Sequence, residues 1–178
     1  MKYLFQSQRL GFRKWTAADA APMAALNADP EVMEFFPSTQ TKEQTLAFLK
    51  KVDQQFKDYG HSWYAVDTLA DGELIGFIGL AWNSHEELDF APCAEIGWRL
   101  KKEAWGYGYA TEGATRCLKY GFEELNFSEI YSFTATVNKR SEKVMKKIGM
   151  KKIGEFGHPQ IAEGHILRQH VLYHLSAG

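Results

Sequence analysis

Two runs of residues carry the types and spacing that do chemistry. Glu95-Ile96-Gly97-Trp98-Arg99-Leu100 reads as a strand, and Trp105-Gly106-Tyr107-Gly108-Tyr109-Ala110-Thr111-Glu112 follows it closely. A strand that runs into a glycine turn, which in turn opens a helix, is a place to bind an anion. The first helical turn has unpaired amide donors and the positive end of the helix dipole. Glycines let the backbone approach a diphosphate and adopt φ > 0. Gly-x-Gly also occurs in plain turns, so the surroundings decide its meaning. No Gly-Lys-Ser/Thr follows, which excludes a Walker A loop. Thr111 stands where a dinucleotide fingerprint needs its third glycine. A second cluster, Lys139, Arg140, Lys143, Lys146, Lys147, Lys151 and Lys152, is either an anion border or a solvated helix face. No set of His, Cys and carboxylates has metal-ligand spacing, so metal catalysis is not expected.

Positioning these residues requires a regular scaffold. Residues 9–13 read as a first strand. Thr16-Ala17-Ala18-Asp19 has the form of a capping box, followed by an Ala-rich helix that stops before Pro30. Thr41-Lys42-Glu43-Gln44 repeats the start signal. Its helix carries Leu46, Leu49, Val52 and Phe56 at helical spacing and ends near Gly60. Residues 61–69 and 73–82 change to strand composition, with Asp71-Gly72 between them as a hairpin signal. A polar loop over 83–92 precedes a strand over 94–100. A helix is expected over 109–125, with Ala110, Ala114, Leu118, Gly121 or Phe122, and Leu125 as its inner stripe. A strand over 129–137, a short helix over 141–148 ended by Gly149, and strands over 151–157 and 165–175 complete the chain. This order predicts an α/β or α+β architecture: a mixed sheet with helices on its faces, one core, and a single domain over 1–178 with no linker.

Trp-Gly-x-Gly-Tyr-Ala-Thr-Glu after a Glu-Ile-Gly-Trp strand resembles the acetyl-CoA signature of the GNAT acetyltransferases, most closely the branch named for ribosomal-protein N-terminal acetylation. The resemblance extends over nearly the whole chain. It includes Asn138-Lys139-Arg140-Ser141 leading into Lys147-Ile148-Gly149-Met150, and the closing Arg168-x-His170-x-Leu172-Tyr173. It implies the GNAT fold: a central, mixed, mostly antiparallel sheet with helices on both faces and two splayed parallel strands, here 94–100 and 129–137. The pantetheine arm would lie in the gap along Gly97, Trp98 and Leu100. Backbone amides of Trp105, Gly106, Tyr107, Gly108, Tyr109, Ala110 and, at the helix start, Thr111 would hold the pyrophosphate. Asn138 would bond the arm, Ser141 would stand near the thiol, and the basic cluster would border the adenosine end. The family pattern has Gln or Arg where this chain has Glu103, and often a basic residue where it has Tyr107. Weaker coenzyme A binding is therefore expected, and a sub-micromolar affinity would contradict that expectation.

The reaction implied is attack of a neutral amine on a thioester. It needs a proton acceptor, an oxyanion donor and an acid for the departing thiolate. Many GNAT members place a tyrosine acid where this chain has Met145, which cannot donate. Ser141 is the remaining candidate, although serine also favours helix starts. Glu95 is the first candidate base, against an exposed strand residue or one that pairs with Arg99 or another cation. His165, with Glu163 beside it, is a second, and His170 reads as structural. A backbone amide near 97–99 would donate to the oxyanion. The acceptor pocket is expected from 32–37, where Phe35 and Phe36 are either pocket or core, from 83–92, and from 158–165. The acidic run Glu86, Glu87 and Asp89 is either an amine attractant or solvated loop.

Bulk properties narrow the partners. The chain has 178 residues and a formal net charge of −1, which does not suit a nucleic-acid binder. Its 45% hydrophobic and 24% charged residues are those of a folded protein. Two cysteines, Cys93 and Cys117, form no disulfide framework. No signal peptide or membrane span is read, so a cytoplasmic location is expected, with acetyl-CoA as co-substrate and no metal. The acceptor is a protein N-terminus or a small-molecule amine, and monomer and homodimer fit equally. The competing readings are a non-catalytic coenzyme A-binding regulatory module on the same fold and a nucleotide-binding protein using the same turn.

Overall fold

The computed structural model describes residues 3–178. Its strands are β1 (Phe5–Gln6), β2 (Leu10–Arg13), β3 (Trp63–Thr68), β4 (Leu74–Asn83), β5 (Cys93–Leu100), β6 (Glu129–Ala135), β7 (Lys151–Gly157) and β8 (Gln169–Ser176). Its helices are α1 (Ala20–Ala28), α2 (Lys42–Tyr59), α3 (Tyr109–Glu123) and α4 (Lys139–Lys147). The eight strands form one sheet in the order β1-β2-β3-β4-β5-β6-β8-β7. Every pairing is antiparallel except β5 with β6. This is the mixed, mostly antiparallel GNAT sheet. The last strand inserts beside β6 and leaves β7 at the edge.

Local signals account for the element boundaries. Thr41 caps α2 by accepting from the Gln44 amide, and Gln44 returns a bond to the Thr41 amide. Gly60 closes the helix at φ +78°. Asp19 accepts from the Thr16 amide, the carboxylate half of a capping box, and from the Thr16 hydroxyl, and is also held by Arg13. Arg13 reaches Asp67 on β3 as well, so two buried carboxylates share one guanidinium. That triad ties β2 and β3 to the start of α1.

The two faces of β4 divide the helices. Ile78 and Leu80 face α3, where a Cβ on Gly113 would meet Ile78 Cδ1 at 2.3 Å. Phe77, of opposite parity, packs with Met23 and Leu26 of α1 and Phe48 of α2. Helices therefore cover both faces. Gly76 has φ +133°, and a Cβ there would lie 2.2 Å from the Arg99 carbonyl oxygen, so only glycine lets β4 approach β5 at this point.

Several expected details are corrected. Leu46 is exposed and Thr45 is buried in its place at the start of the inner stripe of α2, accepting a bond from Asn27, while Val52 and Phe56 are buried as expected. The inner stripe of α3 runs through Gly113, Ala114, Cys117, Leu118 and Gly121, and Phe122 is only half-buried. α4 begins two residues earlier than the expected 141, because Asn138 caps it. β8 begins at Gln169 rather than 165. Both cysteines are free and buried. No described helix is long and apolar enough to cross a membrane.

Candidate active site

The pair β5–β6 is joined at one register position, Glu95 opposite Tyr131. Just beyond it the Ser132 hydroxyl donates to the Ile96 carbonyl at 2.9 Å and pins the fork. From there the strands part. The gap opens into a cleft of about 790 Å³ lined by one edge of β5, by β6, α4, the glycine turn and the α1–α2 connection.

At the outer end of the cleft the turn has the conformation its glycines allow. Gly106 and Gly108 have φ +82° and +80°. A Cβ on Gly106 would meet nothing, so the glycine serves conformation and leaves the approach open. The first amide of the expected set is not free, since Trp105 N–H donates to Lys102 O. The amides of residues 106–111 find no acceptor among the described residues. These donors at the start of α3 fit a pyrophosphate. The turn is anchored from behind. Glu112 accepts from Ser7 Oγ, the Arg9 amide and Arg9 Nε, at 2.7, 2.8 and 2.6 Å, and Arg9 Nη2 donates to Tyr107 O. Tyr107 itself is 62% exposed, so only its backbone belongs to the turn.

The basic cluster divides. Arg140, Lys143 and Lys147 line the cleft. Lys139 and Lys146 pair with the buried Glu142, which also accepts from Tyr173, and Lys152 pairs with Glu155. The amide side chain of Asn138, expected to bond a ligand, is spent inside the protein. Its Oδ1 accepts from the Ser141 amide, and its Nδ2 donates to Thr134 Oγ1 and Ser141 Oγ. It is a helix cap that orients Ser141, and Ser141 Oγ, lining the cleft, retains its own proton to donate.

Glu95 also lines the cleft, at the fork. Its partner is Asn83, which donates to Oε2 at 2.8 Å, and not Arg99. Burial pushes its carboxyl up to about 7, and the Asn83 bond opposes this only in part. His165 is corrected. It is exposed and outside the cleft lining, because its Nδ1 accepts the Leu167 amide within a surface turn. The histidines that do line the cleft are His158 and His170, with ring centroids 4.9 Å apart. Burial, then the neighbouring His170, His85 and Arg168, push His158 down to about 4. Burial lowers His170 as well, against a bond to Arg168 O. Phe35 and Phe36 line the cleft, while Glu86, Glu87 and Asp89 stay exposed outside it. Met145 is buried and borders the cleft. His158 opens the 158–165 segment expected at the acceptor pocket, but it was not singled out within it, and the Arg99 side chain was not anticipated as a site group. Alternation along β5 places Arg99 on the face of Glu95, a signal available in the sequence, whereas nothing local marks His158.

A parallel pair splayed over a cleft, with a turn of free amides at its end, defines the class as coenzyme A-dependent acyl transfer. Residues 9–151 match the acetyltransferase (GNAT) domain model, and the chain belongs to the GNAT acetyltransferase family. It is an acetyl-CoA-dependent N-acetyltransferase. It is 33% identical over 122 residues to the uncharacterized protein YkkB of Bacillus subtilis, covering 68% of this chain and 69% of that one. It is 30% identical to the FsC-acetyl coenzyme A-N(2)-transacetylase of Aspergillus fumigatus, over 79% of this chain and 64% of that protein. The acetyltransferase (GNAT family) from Bacillus anthracis superposes with a TM-score of 0.78 at 28% identity, covering 96% of each chain.

Proposed function

We propose that this chain, as one catalytic domain over 1–178, transfers acetyl from acetyl-CoA to a primary amine by direct attack with both substrates bound. The observation that carries the reading is Glu95. It is the one carboxylate lining the cleft among the described residues, it stands where β5 and β6 part, and burial holds its pKa near 7. A base with that pKa is half in its accepting form at neutral pH and still basic enough to take a proton from an ammonium or an attacking amine. When bound, acetyl-CoA supplies the activated acyl group as a thioester. The chain's own residues do the rest. The amides of 106–111 hold the pyrophosphate, with Arg140, Lys143 and Lys147 as cations nearby. The β5 edge over Gly97, Trp98 and Leu100 holds the arm, and an amide of this edge near 97–99 faces the developing oxyanion. Glu95 Oε takes the amine proton, directly or through water. Ser141 Oγ, oriented by Asn138, donates to the leaving sulfur.

A non-catalytic coenzyme A-binding module would have no use for a carboxylate held near neutrality inside the cleft. Thiol release from acetyl-CoA, followed with and without a panel of primary amines, tests the reading. Release that rises with amine concentration is expected. Release that no amine accelerates, from protein that binds acetyl-CoA, would return the chain to the regulatory reading.

A further inference from the structure

We propose that the amine acceptor carries a carboxylate, which docks on the Nε–Nη2 edge of Arg99. This rests on the amine-acetylation reading above and names the class of its substrate. Glu95, Gly97 and Arg99 lie on one face of β5, since side chains alternate along a strand. The Trp63 ring, which lines the cleft, packs over Gly97 between the two charged residues, 3.1 Å from where a Cβ would stand, so only glycine fits beneath it. The Arg99 guanidinium lies over the Phe36 ring at 4.1 Å from the centroid and near Phe77 at 5.4 Å. Its Nη1 donates to Asn27 Oδ1 at 2.7 Å, a neutral partner. Its Nε is buried with no partner, its Nη2 makes no hydrogen bond, and no carboxylate pairs with it among the described residues.

The contrast with Arg13 gives this its weight. Arg13, the buried arginine of the β2–β3 region, is met by two carboxylates, and its pKa is raised. Arg99 is met by none, and burial lowers it to about 10. A guanidinium whose Nε is buried without a counter-charge is costly to hold. The free Nε–Nη2 edge is the side of a guanidinium that receives a carboxylate through two parallel bonds. The aromatic rings that flank it, with Phe35 and Phe48, suit an apolar acceptor body. The same charge disfavours a polycation, for which Glu95 would be the one counter-ion in the cleft.

The test is kinetic and uses matched pairs. L-phenylalanine is set against 2-phenylethylamine, L-tryptophan against tryptamine, L-lysine against 1,5-diaminopentane, and 4-aminobutyrate against propylamine, with spermidine as the polycation. The best acceptor is expected among the carboxylated members, ahead of its twin by about a hundredfold in kcat/KM, the size of two charge-assisted bonds. Arg99→Gln lowers kcat/KM for the carboxylated member far more than for its twin, chiefly through KM, and leaves acetyl-CoA affinity within a few fold. Arg99→Lys keeps the charge and loses the fork, so it shows the same selective loss if the glutamine variant fails to fold. Twins or spermidine acetylated as well as the carboxylated amines would overturn the inference while leaving amine acetylation standing. An equal loss on both members of a pair, or weakened acetyl-CoA binding in the Arg99 variants, would overturn it too. Release that no amine accelerates would remove both readings.

Discussion

Replacing Glu95 by glutamine is expected to lower kcat/KM by about a hundredfold or more, the usual contribution of a positioned base. The shape of the pH profile is the sharper readout. With Glu95 near 7, activity should rise as pH rises through that value, because only the carboxylate accepts a proton. Glu95→Gln should lose this inflection and keep the shape set by the amine alone. Stability should respond in the opposite sense. The folded pKa lies above the ordinary 4.5, so between 4.5 and about 7 the folded chain keeps a proton that the unfolded chain has released. The stability from that difference is full below the window and lost as pH rises through it. The glutamine variant should therefore lose less Tm than the wild type between about pH 5 and pH 8. A variant with the wild-type inflection would take Glu95 out of the proton path.

Replacing Ser141 by alanine is expected to cut kcat by about a hundredfold, with acetyl-CoA affinity nearly unchanged. The hydroxyl is held by Asn138 Nδ2 at 3.1 Å, and the same Asn138 caps the helix through its Oδ1. Ser141 is therefore the third residue after the cap and not the cap itself. Helix α4 should survive the substitution, since its cap is untouched, and far-ultraviolet circular dichroism with Tm checks this. Met145 borders the cleft, but a thioether has no proton to donate, so nothing at that position stands in for the lost hydroxyl. Turnover equal to the wild type would leave Ser141 as a helix residue only.

The legibility of the molecule followed the range of the forces involved. Helix starts at Thr16 and Thr41, the stop at Gly60, the Asp71-Gly72 hairpin and the 106–111 turn are local signals, and each appears where its residues stand. The splayed pair was legible through the family resemblance and has one register position, as the splay implies. What escaped was set by contacts far along the chain. Asn27, distant in sequence, decides that Thr45 and not Leu46 turns inward. The insertion of β8 between β6 and β7 has no local mark. His165 and His158 are both loop histidines by sequence, and packing against His170 and Phe133 brings the second to the cleft. The burial of Arg99 without an acid partner depends on Phe36, Phe77 and Asn27 arriving from three different segments.

We propose that the free amides at the start of α3 cradle the pyrophosphate of acetyl-CoA. Calorimetric titration of the wild type and Gly108→Val with acetyl-CoA tests it most directly. Gly108 holds φ +80°, which valine reaches only with strain of about 1–2 kcal/mol, so the variant turn moves its amides away from one another. One-to-one binding by the wild type, weakened about tenfold or more in a Gly108→Val protein of unchanged overall fold, is the predicted result. Equal affinity in both proteins, or no binding by the wild type at millimolar ligand, would contradict the account.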